Sequence, residues 1–548
     1  MMQAGQRLGA IVVAGACVAA MACHRLQPLH VSFAQSTRQV EVYDFVEVTA
    51  GVSWPQAANP FTDAALSGWF ETADGSRRWP VEGFCDAENG GVFRLRFMPP
   101  VAGDYRFDVE YRQGSGASRW SGSFQAADAR RRGPIRVDAN YPWHFVWEGT
   151  GEHYFFNGTT AYWLAGWTDE KVIAAALDRL HARKINRLRV TLSGRADKYY
   201  GEPVMVGQNW TFYVTPWPAK LAEDVYHPGF DYTRFYLPYW QKFERMVRLA
   251  RDRDMVISVV LDMNDSRVHP AADSEDERRF LRYAVARLAA YSNVTWDLGD
   301  DLDLYRSDEW THRTGTFLKG IDPYHHLATS HPVDNRHQDR TSDWFDFTSF
   351  QEWSRDQHAF MLRQRQQQMR LGRRIPLANE EYGYEDHYPP WSLGLGSESA
   401  DTLRRTAWEI VMAGGYQTTG ESARRGTNVW PDTGGGWING RGDDSMTMLQ
   451  GYAHMVDFFT SFDWWRTEPS DGLVEAGNEC LAVPGELYAI YLPRGGRTTV
   501  RLGVDRFRAA WFNPITGAWT DLPEAQGPVW TSPAADSGQD WALLLRRK

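Results

Sequence analysis

Residues 237–262 read LPYWQKFERMVRLARDRDMVISVVLD, and residues 276–301 read DERRFLRYAVARLAAYSNVTWDLGDD. Each stretch is an amphipathic run of helical period, then a short apolar run that ends in acidic residues. The first part is too long for a strand. The second has strand length, and its continuous apolar character is that of a strand buried on both faces. Helix and buried strand in alternation predict a parallel sheet covered by helices. The same alternation extends in both directions, from about residue 135 to 462. Strands are expected at Tyr154–Trp163, Ile185–Leu192, Met255–Asp262, Val294–Asp301, His326–Pro332, Phe345–Trp353, Ile375–Tyr384 and Tyr416–Glu421. Helices are expected at Asp169–Arg183, Leu237–Arg253, Asp276–Tyr291, Asp308–Gly320, a Gln-rich run ending near Leu371, Ala400–Gly414 and Ser445–Phe462. Eight such strands predict an α/β fold, a (β/α)8 TIM barrel. Between His331 and Trp344 no convincing helix can be read.

The flanks have a different period. Residues 38–128 carry short alternating runs broken by turn residues, such as Val92–Phe97 and Tyr105–Tyr111, with turns at Asp74-Gly75 and Ala102-Gly103-Asp104. They predict a small Ig-like β-sandwich. Arg130 to Pro134 reads as a linker. Residues 463–548 return to short strands and predict a second β-sandwich. The expected organisation is therefore 1–22 as a signal peptide, 38–128, 135–462 and 463–548.

That leader is LGAIVVAGACVAAMA, Leu8–Ala22, uncharged and preceded by Arg7. Fifteen apolar residues suit a signal-peptide core better than a membrane span. AAMAC resembles a bacterial lipoprotein box, with Ala20 where Leu is usual, and makes Cys23 a possible lipid anchor. The expected location is outside the cytoplasm: periplasmic, cell-surface or secreted. Of the other cysteines, Cys17 lies in the leader, while Cys85 and Cys480 stand far apart, a pattern of neither a disulfide framework nor a zinc site.

The 59 Lys and Arg against 69 Asp and Glu leave a net charge of −10, which argues against sequence-independent nucleic-acid binding. Aromatic residues make up 14%, with 25 Trp, a load that fits large cores and also flat platforms for sugar rings.

In a (β/α)8 barrel the chemistry sits at the C-terminal ends of the strands. Those ends supply Arg189, Asp262, Asp300 and Asp301, His331, Glu352 with Trp353, Glu380 with Glu381 and Tyr384, and Glu421. Carboxylates on strands four and seven would face each other across one mouth, where they can divide acid and nucleophile roles on a glycosidic bond. The acidic run at 300–303 also reads as a solvated or calcium loop, but Gly299 and Leu302 break the EF-hand spacing.

These residues carry a resemblance. NVTWDLGDD resembles W-x-L-x-N-E, the strand-four acid/base motif of clan A glycoside hydrolases, and more closely the W-x-L-G-G-D of the apiosidase-like family (glycoside hydrolase family 140). PLANEEYGYE, residues 376–385, resembles that family's P-V-V-N-D-E-Y-G-Y-E, and YFFNGTTAYW, residues 154–163, resembles F-F-x-x-G-D-T-A-W. The 38–128 part and the run YLPRGG…WFNPITGAW resemble the β domains that often flank such barrels, the second of a collagen-binding type. The resemblance implies a retaining glycoside hydrolase acting on a carbohydrate substrate without cofactor or metal. It places the nucleophile on Glu381 and the acid/base on Asp301. Arg189, Asp262, Asp300, His331, Trp353, Glu380, Tyr384 and Trp437 are the candidate substrate contacts. Thr159 departs from the pattern, standing where relatives carry Asp. The insert 193–233, with Trp210, Tyr213, Trp217 and Tyr226, is expected to be a mouth loop. A non-catalytic glycan-binding protein on the same scaffold is the alternative reading.

Mass spectrometry of the exported protein is expected to find Cys23 as a lipidated N-terminus. An unmodified N-terminus at Gln35 would keep secretion and remove the anchor.

Overall fold

A computed structural model describes residues 29–193, 210–211, 215–221, 228–263, 269–386, 397–421, 436–442 and 445–548. The expected leader 1–22, Cys17, Cys23, Tyr213 and Tyr226 lie outside the described residues. Eight parallel strands form the central sheet: β1 (Asn157–Thr160), β2 (Arg187–Thr191), β3 (Val256–Val260), β4 (Val294–Asp300), β5 (Ala328–His331), β6 (Thr348–Gln351), β7 (Leu377–Glu381) and β8 (Tyr416–Glu421). The ladder runs β5-β4-β3-β2-β1-β8-β7-β6. Around it lie α1 (Glu170–Ala182), α2 (Leu237–Arg251), α3 (Glu275–Leu288), α4 (Asp308–Ile321), α5 (Gln357–Arg370), α6 (Ala400–Met412) and α7 (Met448–Phe459). This is the (β/α)8 barrel expected from the alternation.

The helices begin where the sequence offers caps. Asp169, Ser274, Ser307, Asp356 and Ser399 each accept a backbone N–H of the first turn of α1, α3, α4, α5 and α6. Each helix buries one apolar stripe, as α1 does with Ile173, Ala176, Leu177 and Leu180.

Two places differ from the sequence reading. The run Tyr154–Trp163 is split. His153–Tyr154 pairs antiparallel with Phe145–Trp147 in a small separate sheet with Ile135–Val137, and only Asn157–Thr160 joins the barrel. Apolar content alone could not separate the two pieces, because Tyr154, Phe155 and Phe156 are all buried. The second place is the gap after β5, which holds one 3-10 turn, Asn335–His337, and no α-helix. Here β5 and β6 are stitched by Asp346 N–H donating to Ala328 O (2.9 Å), Thr329 Oγ1 to Phe347 O (2.7 Å), and the His331 Nδ1–Ser349 Oγ contact (2.9 Å). Trp344 in this connection is buried, and its ring lies directly on Gly315 of α4.

β-Sheets flank the barrel on both sides. On the N-terminal side, a four-stranded sheet (His30–Gln35, Val46–Ser53, Val92–Phe97, Phe84–Cys85) faces a five-stranded one (Gln39–Glu41, Gly116–Ala127, Gly103–Gln113, Ala64–Thr72, Arg78–Glu82). On the C-terminal side a six-stranded sheet runs from Glu468 to Arg547, with a two-stranded companion. Cys85 and Cys480 are buried and free. No helix among the described residues is long and apolar enough to cross a membrane.

Replacing a helical Gly by Ala ordinarily helps by about 1 kcal/mol. At Gly315 the added methyl would run into the Trp344 ring. Gly315→Ala should therefore destabilise, by about 1–3 kcal/mol for overpacking, read as a lower denaturant midpoint.

Candidate active site

The barrel interior carries charge. On β2, Arg187 and Arg189 are two residues apart, so both side chains point inward, and both are fully buried. Arg187 pairs with Glu380 of β7, donates to Ser258 Oγ (2.7 Å) and lies 4.5 Å over the Phe156 ring. Two residues nearer the mouth, Arg189 donates to Asp297 Oδ2 (3.0 Å) and Asp300 Oδ1 (2.8 Å) of β4 and to the Tyr162 hydroxyl (2.9 Å). Burial works against the Arg189 charge, but Tyr162, Asp297 and Asp300 outweigh it and hold the guanidinium protonated. Burial raises Asp297 above the usual carboxylate range despite Arg189. It pushes Glu380 the same way, but there Arg187 and Arg189 prevail and Glu380 lies below that range.

Asp297 and Asp300 are three residues apart, and in a regular strand they would face opposite sides. The register explains why both face inward: Asp297 pairs with Thr329 and Asp300 with His331, so β4 spends one residue more than β5. A second irregularity lies between β6 and β7, where Phe350 pairs with Asn379 but Gln351 with Glu381. Glu380 is the extra residue. It turns down toward Arg187, and Glu381 is freed to face the mouth.

Asp300, His331 and Glu381 then meet. One ligand atom from each lies within 4.8 Å of the others, and all three residues are buried. His331 Nε2 is 3.4 Å from Glu381 Oε2 and 3.7 Å from Asp300 Oδ1. Burial and Arg189 lower His331 to about 4, so it is neutral at pH 7. Burial raises Glu381 to about 7, against the pull of Arg189 and of hydrogen bonds from Tyr384 and Tyr162. The trio has the spacing of a metal site, but Asp300 already accepts the Arg189 guanidinium, so one of the trio's carboxylates is paired with a fixed positive charge.

The other candidates line or support this mouth. Asp301 follows Asp300 directly, is partly exposed and has a left-handed backbone (φ 51) that turns the chain out of the strand. Asp303 is committed elsewhere, accepting the backbone N–H of Val333 (2.6 Å) and Asp334 (3.0 Å). Asp262 accepts Arg306 (3.0 Å). The Tyr384 ring lies between Trp437 (4.7 Å) and Trp353 (6.2 Å), with the edge of Tyr162 against Trp437 (6.4 Å). Trp437 is buried and Trp353 partly exposed. Thr159 donates to Thr419 O (2.6 Å), so its hydroxyl serves the β1–β8 junction. Glu421 is held by Arg179, with a second bond of 2.9 Å.

Sequence reasoning missed Tyr162, Arg187 and Asp297. A signal existed for Arg187 and Asp297, since an apolar strand with a charge at an inward position must supply its partner nearby. Tyr162 had none.

Comparison with known proteins places the chain in a family. The model described as "Apiosidase-like, catalytic domain" matches residues 144–420. Residues 39–112 match a domain of unknown function, DUF5060, and residues 471–546 the "Putative collagen-binding domain of a collagenase". Among solved structures, a "putative glycoside hydrolase" from Bacteroides vulgatus superposes with a TM-score of 0.78 at 20% identity, covering 93% of this chain and 100% of its own. A glycoside hydrolase family 5 protein from the same organism gives 0.59 at 16% identity, covering 76% and 93%. No curated protein matches the sequence. The barrel and the match over its length make the chain a glycoside hydrolase. It belongs to the apiosidase-like family, which sets aside the non-catalytic reading.

Removing one partner of a buried ion pair leaves an uncompensated charge, at a cost of about 3–5 kcal/mol. Arg187→Met should lower the urea midpoint accordingly. The double change Arg187→Met with Glu380→Leu should recover most of the loss.

Proposed function

We propose that the chain is a retaining glycoside hydrolase in which Glu381 attacks the anomeric carbon and Asp301 protonates the departing oxygen, then activates water. The observation that carries this reading is the convergence on Glu381: Arg189, His331, Tyr162 and Tyr384, from four different segments, surround one carboxylate at the end of β7. Such a cage fixes a nucleophile's direction and lets its negative charge pass to the sugar without rearrangement of the site. Asp300, bonded to Arg189, serves as part of that cage. Asp301, one residue on, is partly exposed, which an acid that meets a leaving group requires. The Trp353–Tyr384–Trp437 wall gives the sugar an apolar side. We propose a plant- or microbial-type polysaccharide or oligosaccharide as substrate. Export with the leader removed, and anchoring through Cys23, complete the proposal and match a polymeric substrate outside the cell.

A second reading makes Asp300 the acid, favoured by its carboxylate oxygen within 4.8 Å of Glu381. The Arg189 ion pair speaks against it, because a bonded guanidinium favours the ionised form, which has no proton to give.

The test is the variant pattern on sugars released in a glycan screen. Glu381→Gln should lose about 10^4-fold or more in kcat, as for removal of a covalent nucleophile. Asp301→Asn should fall about 10^2–10^4-fold on natural linkages and far less on activated aryl glycosides. Equal loss on both, or selective loss in Asp300→Asn instead, would transfer the acid role.

The pH profile is a separate check. Below about 7 the buried Glu381 carboxyl holds its proton and cannot attack. On an activated aryl glycoside, kcat/KM should therefore rise as pH increases through about 7. A fall through that pH would make Glu381 the acid.

A further inference from the structure

The outward face of the five-stranded N-terminal sheet is not a uniform polar surface. Its register sorts the side chains into rows, three of them central. One row runs Arg78, Glu71, Arg106, Ser123, and another runs Glu82, Ser67, Glu110, Arg119. Both are occupied by ion pairs: Arg106 and Arg78 on Glu71, and Arg112 (2.6 Å) and Arg119 (2.9 Å) on Glu110. The row between them reads Pro80, Trp69, Asp108, Ser121. It sets two flat apolar side chains beside a carboxylate that accepts the Ser121 hydroxyl (2.7 Å). The Arg78 guanidinium lies 4.0 Å over the Trp69 ring and holds its orientation.

This row is also recessed. A groove of about 540 Å3 runs along it, floored by Ser67, Trp69, Pro80, Asp108 and Glu110. Its far wall is Gly320, Ile321 and Pro323, at the C-terminal end of α4. That end of α4 lies beside the N-terminal ends of the strands, so the groove is on the side of the barrel away from the catalytic mouth.

We propose that this groove is a second carbohydrate-binding site, which holds a neutral polysaccharide chain while the barrel acts on it elsewhere. The chemistry selects the occupant. A pyranose ring offers a flat C–H face, which Trp69 and Pro80 match, and a rim of hydroxyls, which the Asp108 carboxylate, held by Ser121, can accept. The flanking rows spend their charges on each other, so the groove offers a planar apolar step with hydrogen-bonding groups and little uncompensated charge. An anionic polymer would meet the Asp108 carboxylate, while Glu110 and Arg119 of the lining pair with each other. A groove of this volume falls in the range of small-ligand sites and suits a short stretch of chain.

The test uses the full chain. Binding is measured on ice, by depletion onto microcrystalline cellulose and alcohol-insoluble plant cell wall, and by retardation in native gels containing arabinan or galactan. The parent protein should be retained by at least one of these. Trp69→Ala and Asp108→Ala should each weaken retention, about fivefold for Trp69→Ala, since stacking of this kind is worth about 1 kcal/mol. Hydrolysis of a small soluble glycoside and the thermal midpoint should not change in Asp108→Ala, which keeps the proposal testable if the Trp69 variant folds poorly. Absence of retention of the parent on all four glycans overturns the proposal, and so does unchanged retention in both variants. If Trp69→Ala instead converts a dimer to a monomer in sedimentation, the face is a protein interface and the glycan site falls. The readout is binding, so a wrong assignment of Glu381 or Asp301 does not affect it.

Discussion

Two guanidinium groups inside the barrel set the terms for everything above them. Arg187 and Arg189 come from one strand and reach across the interior, the first to β7 and the second to β4. A buried pair contributes little net stability, because the loss of hydration offsets most of the attraction. Its effect here is to fix position. With both arginines charged in an interior that excludes water, Glu380, Asp297 and Asp300 have one acceptable arrangement, and the strand register follows from it. The two strands so tied are the ones whose ends carry the proposed chemistry. Asp300 belongs both to this core network and to the mouth, so the electrostatics of the core extend without a break into the site.

The barrel was legible in the sequence because its signal is local. Helical stripes and continuous apolar runs are properties of single segments, and seven strands appear where the pattern puts them. The first strand failed because three consecutive aromatic residues, Tyr154 to Phe156, serve two different sheets, and apolarity does not say which. The site was legible to the level of strand ends. It was not legible to the level of which carboxylate points where, because the two bulges that turn Asp300 and Glu381 inward are relations between neighbouring strands. Asp303 illustrates the same limit. In the sequence it is another acid beside Asp301, whereas in the fold both its oxygens hold the backbone of the next loop.

The flanking sheets are joined to the barrel by packing and by shared charge. On the N-terminal side, Arg96 donates to Glu47 and Glu244 (2.8 Å each), and Arg287 binds Glu244 and Asp86 (2.9 Å each), so barrel helices and sandwich exchange partners. On the C-terminal side, Trp408 of α6 stacks on Tyr491 (5.1 Å), and Phe458 of α7 meets Phe512 and Trp519. Arg404 reaches the buried Asp540. One hydrophobic core includes residues of all three parts, with a second cluster on the other face of the C-terminal sheet, so the three parts should unfold together rather than swing as separate bodies.

The gap between β5 and β6 bears on the site. Elsewhere neighbouring strands are joined by repeated backbone hydrogen bonds, which open only as a group. Here the cylinder is fastened by single stitches, and the one nearest the mouth is the contact of His331 with Ser349. The opposite nitrogen of that imidazole faces Glu381. This line of single stitches thus ends on the proposed nucleophile, one imidazole ring linking the wall of the barrel to that carboxylate.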